Sequence, residues 1–168
     1  MTTMQRADLS GTPTRHARDA RWDDRLLVVY RERYAQLVRL AYLLTGHGAV
    51  AEEIVQDAFV ASHHAPAELR EPYPYVRRAV VNRCRSWGRR YQVERQHRPH
   101  PPGPAELAAD EMWDALDSLT ERQRAAIVLR FYEDMTDTRI AEILDCRPST
   151  VRSSIRRGLQ SLRRVIDP

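Results

Sequence analysis

From residue 25 onward, apolar residues recur mainly at helical spacing. Leu27, Tyr30, Tyr34, Leu37, Val38, Ala41 and Leu44 predict one long amphipathic helix, which Gly46 and Gly48 interrupt. A second stripe, Ala51, Ile54, Val55, Ala58 and Phe59, predicts a helix ending near His63. Pro66, Pro72 and Pro74 then mark a short loop. Val76, Ala79, Val80, Cys84 and Trp87 share one face of a third helix, whose end Gly88 weakens. No segment alternates with period two long enough to form a strand, so the expected class is all-α.

Residues 92–109 (QVERQHRPHPPGPAELAA) carry four prolines and a glycine. Such a stretch cannot continue a helix and is expected to act as a flexible linker, spanning roughly 50–60 Å when extended. The polar residues 1–24 show no period and are expected to form a loose, disordered tail. The pattern therefore predicts two small helical domains on a tether, over residues 25–91 and 110–168.

The second domain opens with Met112, Ala115, Leu116 and Leu119 in helical register. Thr120 and Gln123 fit a capping box for a helix running to about Tyr132. Thr136 or Asp137 can cap a short helix bearing Ile140, Ala141, Ile143 and Leu144. A turn over Asp145–Pro148 follows, and Ser149 is expected to cap a longer helix with Val151, Ile155, Leu159, Leu162 and Ile166 inward. A short helix, a tight turn and a longer helix form the helix-turn-helix pattern.

Charge distribution sharpens this picture more than net charge does. The chain has 27 basic and 23 acidic side chains, and every basic one is arginine. A guanidinium fork grips phosphate or a guanine edge with two hydrogen bonds, where lysine offers a point charge. From Arg147 to Arg164 there are six arginines and no acid, although a helix that merely covers a core usually mixes both signs on its wet face. Arg147, Ser149, Thr150, Arg152, Ser153, Arg156 and Arg157 are therefore candidates for reading a major groove. On the third helix, Arg78, Asn82, Arg85 and Arg89 form a second polar stripe, in which the asparagine amide can both donate to and accept from a base edge. The second helix has the opposite sign: Glu52, Glu53, Gln56 and Asp57 suit a basic protein partner rather than nucleic acid.

Other chemistry is thin. Cys84 and Cys146 lack companions at metal-ligand spacing, and His63–His64 with the Glu52–Glu53 pair offers no catalytic constellation. Neither metal, cofactor nor enzymatic activity is expected. With no signal peptide and no run of 18 apolar residues, the chain is expected to stay in the cytoplasm.

Three segments together resemble the extracytoplasmic-function (ECF) sigma factors of RNA polymerase. AVAEEIVQDAFVASHHA is similar to the acidic helix of their second region, and YPYVRRAVVNRCRSWGRR to the adjoining part. SLTERQRAAIVLRFYEDMTDTRIAEILDCRPSTVRSSIRRGLQSLRRV is similar to their fourth region. The resemblance implies that Glu53, Gln56 and Asp57 dock on the β′ clamp helices of core polymerase, with the β flap as a further contact. It implies that Leu69, Arg70, Tyr75, Arg78, Asn82, Arg85 and Arg89 serve the −10 element, the loop from Ala65 to Pro72 capturing a flipped base. It also implies −35 recognition by the last helix. Many members carry a longer loop and a tryptophan-leucine-tyrosine run before the asparagine helix; here Tyr75, Val76 and Arg77 stand there, and Tyr75 can supply an aromatic wall. No third domain is expected in the linker and no regulatory domain after residue 168. The sequence leaves open the promoter, the inducing signal and whether an anti-sigma factor binds. The alternative is a free-standing helix-turn-helix regulator with an N-terminal ligand or dimerisation domain, which leaves the Asn82 stripe and the acidic face without a role.

Overall fold

A computed structural model describes residues 24–64, 71–97 and 110–166. Among these residues the chain consists of seven α-helices and their connecting turns, with no strand. The helices are α1 (Asp24–Thr45), α2 (Gly48–His63), α3 (Pro72–His97), α4 (Asp110–Asp117), α5 (Glu121–Phe131), α6 (Asp137–Leu144) and α7 (Pro148–Ile166). Helices α1–α3 pack on one another as one module, and α4–α7 form a second around α5 and α7.

The first module closes because three apolar stripes meet. Leu37, Leu40, Ala41, Ala51, Val55, Ala58, Phe59, Val76 and Val80 are essentially inaccessible to solvent. Burying a side chain the size of Leu40 or Phe59 contributes about 1.5–3 kcal/mol. The α2 stripe expected from sequence is buried as a whole, but the phase of α1 differs over its first turns. Leu26 and Val29 face inward, whereas Tyr30 is 39% exposed. The run Leu26–Tyr30 is apolar on every side, so spacing alone could not choose its inner face. At the α1–α2 turn Gly46 adopts φ +75°, a left-handed conformation that glycine enters without a Cβ penalty.

Helix α3 continues through Gly88 to His97, six residues into the segment expected to be linker. Trp87 and Tyr91 stack on either side of that glycine at 4.6 Å, and His47 packs against both rings. This aromatic cluster supports the helix where its sequence is weakest. Residues 98–109 lie outside the described residues.

In the second module local signals decide most boundaries. Thr120 accepts from the Gln123 amide while the Gln123 side chain accepts from the Thr120 amide, completing the capping box. Thr136, not Asp137, caps α6. Asp145 ends α6 at φ 50°, in the left-handed region. Helix α7 begins at Pro148, whose fixed φ and missing N–H suit a first helical position. Ser149 therefore lies inside the first turn and is not the cap expected from sequence. Met112 is 62% exposed; Leu116, Leu119 and the neighbouring Trp113 turn inward instead. Helix α7 lies close to α5 at Gly158, where a Cβ would come within 2.6 Å of Ile127 Cδ1.

The two modules are not held apart. Their buried residues form one continuous cluster, in which α1 touches α5 while α3 touches α5 and α6. The Glu133 carboxylate, in the turn after α5, accepts from Arg77 Nη1 and Tyr73 Oη, both at 2.9 Å, and from Gln36 Nε2 at 3.1 Å. Trp113 lies against Gly46, while the Arg124 guanidinium stands 4.6 Å from its ring centre and donates to the Leu44 carbonyl at 3.2 Å.

Candidate nucleic-acid interface

Packing Val151, Ile155, Leu159 and Leu162 toward α5 and α6 leaves the other side of α7 to solvent. Arg147, Ser149, Arg152, Arg156 and Arg157 are exposed there, and Thr150 and Ser153 are half-buried beside them. Ser153 Oγ donates to the Thr150 carbonyl at 2.9 Å, which commits its proton to the helix backbone and leaves its lone pairs outward. Arg152 pairs loosely with Asp137 at 3.7 Å, and Arg130 approaches the same carboxylate at 3.8 Å. Arg156 and Arg157 make no ion pair among the described residues. These four guanidinium groups, only loosely countered by Asp137 at Arg152, make an anion-binding strip along this side of the module.

Helix α3 presents a second strip. Arg78, Asn82 and Arg89 are exposed on one side, and Tyr75 near the start of the helix is 45% exposed. Arg85 belongs to the same stripe but is only half-exposed, because its Nε donates to Glu121 of α5 at 3.0 Å. Leu69, Arg70 and most of the expected base-capture loop lie outside the described residues. The two strips meet across a cleft of about 660 Å³, with Arg85 and Arg89 on one wall and Thr150, Ser153 and Arg157 on the other.

Glu53, Gln56 and Asp57 are all exposed on α2, and Gln56 Nε2 reaches Tyr34 Oη at 3.5 Å. Sequence reasoning missed the apolar part of this surface. Val60, one turn beyond Gln56, is 51% exposed, and Val28 and Tyr30 are exposed on α1. Tyr30 packs edge-on against Phe59 at 5.1 Å, which fixes this edge of α1 to α2. The spacing of Gln56 and Val60 was the available signal.

Burial sets the protonation of several groups. Tyr73 is pushed up to about 12 by burial and by the Glu133 carboxylate that accepts its hydrogen bond. Burial also raises the Cys84 thiol to about 12 and lowers the Arg124 guanidinium from its usual value. No group of three His, Cys, Asp or Glu side chains among the described residues is placed to hold a metal ion.

Two family models fall on the two modules. "Sigma-70 region 2" matches residues 29–93, and "Sigma-70, region 4" matches residues 109–162. The chain belongs to the ECF sigma factors. Among relatives of this sigma factor, the RNA polymerase sigma-E factor of Streptomyces avermitilis is 29% identical over 147 residues, 82% of each chain. The ECF sigma-E factor of Escherichia coli K12 is 26% identical over 171 residues, 85% of each. The fold resembles that of the sigma factor RpoE from Bartonella quintana, solved with the anti-sigma factor NepR. The TM-score is 0.63 at 22% identity, over 85% of this chain and 94% of that one. Members of the family bind core RNA polymerase and promoter DNA to begin transcription and are not themselves enzymes, so the exposed strips on α3 and α7 belong to a transcription initiation factor. None of its described helices is long and apolar enough to cross a membrane.

Proposed function

We propose that this sigma factor, acting in the cytoplasm, docks on the β′ clamp helices through Glu53, Gln56 and Asp57 of α2, with the β flap receiving the second module. It then reads the −35 element as duplex with Arg147, Ser149, Thr150, Arg152, Ser153, Arg156 and Arg157. The −10 element is opened and held by Tyr75, Arg78, Asn82, Arg85 and Arg89, together with Leu69 and Arg70 of the preceding loop. Regulation by an anti-sigma factor fits the same surfaces.

One observation carries the reading: two exposed arginine-rich strips and one exposed acidic face occur on the same short chain. A duplex-only regulator needs one basic strip. A factor that opens DNA needs a second, because separated strands must be held after their pairing is lost. Unstacking a base costs a few kcal/mol. Asn82, which bonds a base edge in both directions, and the neighbouring guanidinium groups can offset that cost.

Asn82→Ala tests this directly. Because the side chain is exposed, folding and core binding stay intact. Permanganate reactivity of thymines in the −10 region should fall, and a promoter already mismatched there should regain activity. Normal opening of a fully paired promoter by Asn82→Ala would remove α3 from the mechanism.

A further inference from the structure

Four arginines from three helices line the cleft between α3, α5 and α7: Arg85 and Arg89 of α3, Arg122 of α5 and Arg157 of α7. Glu121 is the sole carboxylate among the described residues that line it, so four positive charges face one negative, a net of +3. That acid is already engaged by Arg85 at 3.0 Å. Arg89 donates to Ser86 Oγ at 3.2 Å, whereas Arg122 and Arg157 make no ion pair among the described residues. We propose that this cleft binds a condensed-phosphate anion, the triphosphate chain of a nucleotide or its inorganic counterpart.

Basic charge alone attracts any anion, but Ser154 marks this cleft as shaped to hold one. Ser154 is 9% exposed, lines the cleft, and its hydroxyl has no hydrogen-bond partner among the described residues. The other two buried hydroxyls among those residues, Thr45 and Ser62, each donate to the carbonyl four residues back, at 2.8 and 2.7 Å. For Ser154 that carbonyl belongs to Thr150, and it already accepts from Ser153 Oγ at 2.9 Å. A polar group this deep ordinarily has a partner, because left unbonded it loses its hydration without replacement. A phosphate oxygen in the cleft supplies the missing acceptor.

The backbone adds further donors. The capping box commits the amides of Thr120 and Gln123. Those of Glu121 and Arg122, in the first turn of the 11-residue α5, donate to nothing among the described residues. They stand at the positive end of the helix dipole, which favours an anion.

Size and chemistry select the ligand class. At about 660 Å³ the cleft lies in the usual range for small-molecule sites and far exceeds the needs of a single phosphate. A guanidinium fork bonds phosphate oxygens in pairs, so several phosphates in a row suit several forks. No aromatic side chain lines the cleft to stack on a base, which makes the phosphate chain the recognised part. Arg85, Arg89 and Arg157 are also assigned to DNA above. Binding of this anion is measurable without DNA, so it stands or falls apart from those assignments.

Isothermal titration calorimetry on the full chain tests the site with tripolyphosphate, ATP and orthophosphate. Tripolyphosphate and ATP should saturate one site per chain, and orthophosphate should bind about tenfold more weakly or less, having fewer contacts to make. Arg122 is exposed, so Arg122→Ala should fold normally and weaken tripolyphosphate about 10- to 100-fold, the loss of one charge-assisted contact. Arg31→Ala, the same charge change on an exposed part of α1, should alter it less than about twofold because solvent screens that distance. Glu121→Gln removes the repelling acid and frees Arg85, and should tighten binding about threefold or more. Ser154→Ala should weaken binding about 2- to 10-fold yet leave the urea midpoint of the free protein unchanged or raised, since the hydroxyl has no bond to lose. Equal affinity for tripolyphosphate and ATP identifies the phosphate chain as the ligand, and a clear preference for ATP identifies a nucleotide. No saturable binding of either, or equal losses in Arg122→Ala and Arg31→Ala, would show diffuse attraction of polyanions and overturn the site. A Ser154→Ala protein that is less stable but binds normally would overturn the role given to its hydroxyl.

Discussion

Asp137 sits where stability and DNA affinity pull against each other. It is the first residue of α6, just after the Thr136 cap, and its carboxylate lies 3.8 Å from Arg130 and 3.7 Å from Arg152. Asp137→Asn removes the charge with little change of shape. A carboxylate in the first turn of a helix contributes about 0.3–1 kcal/mol through the helix dipole. The two ion pairs are long and their arginines 43% and 63% exposed, so each adds only a few tenths of a kcal/mol. The variant should lose about 1 kcal/mol, with the Thr136 cap untouched. DNA binding should move the other way. A negative charge about 8 Å from a phosphate costs about 0.5 kcal/mol in water, and Arg152 is released at the same time. Holoenzyme carrying Asp137→Asn should bind promoter duplex about two- to five-fold more tightly, with a steeper salt dependence if Arg152 gains a phosphate. Urea unfolding and fluorescence anisotropy between 50 and 200 mM salt, on the order used for such slopes, measure the two effects separately. Weaker DNA binding at unchanged salt slope would refute the placement of α7 against DNA.

Two other expectations follow from exposure and burial. Charge reversal at Glu53 and Asp57 with Gln56→Ala should abolish co-elution with core polymerase in gel filtration, while thermal unfolding shifts little, because all three side chains are exposed; co-elution that survives rules out α2 as the docking face. A thiol reagent at pH 8 should label half-buried Cys146 and spare Cys84 until the chain unfolds, because burial holds the Cys84 thiol protonated up to about pH 12. Since that folded value lies above the usual 9, its contribution to stability is complete below pH 9 and is lost between 9 and about 12; an unfolding midpoint that rises over that range relative to Cys84→Ala would contradict it.

What the sequence determined by itself was everything set within a few residues. The α2 stripe, the Thr120–Gln123 capping box, the short helix behind Thr136 and the arginine-rich, acid-free face of α7 depend on contacts one turn away, and each is found as expected. Local ambiguity already cost something: Leu26–Tyr30 could face inward in two ways, Met112 was expected inward where Trp113 is, and Pro148 rather than Ser149 opens α7. Continuation of α3 through Gly88 depends on His47, about 40 residues earlier in the chain, packing against Trp87 and Tyr91. Only the tertiary structure decided how the modules meet. Glu133 is an unremarkable acid in a turn, and its partners lie 56 to 97 residues away. Burial turns it from a solvated charge into the centre of an interface, because a carboxylate removed from water must find its hydrogen bonds wherever the fold supplies them.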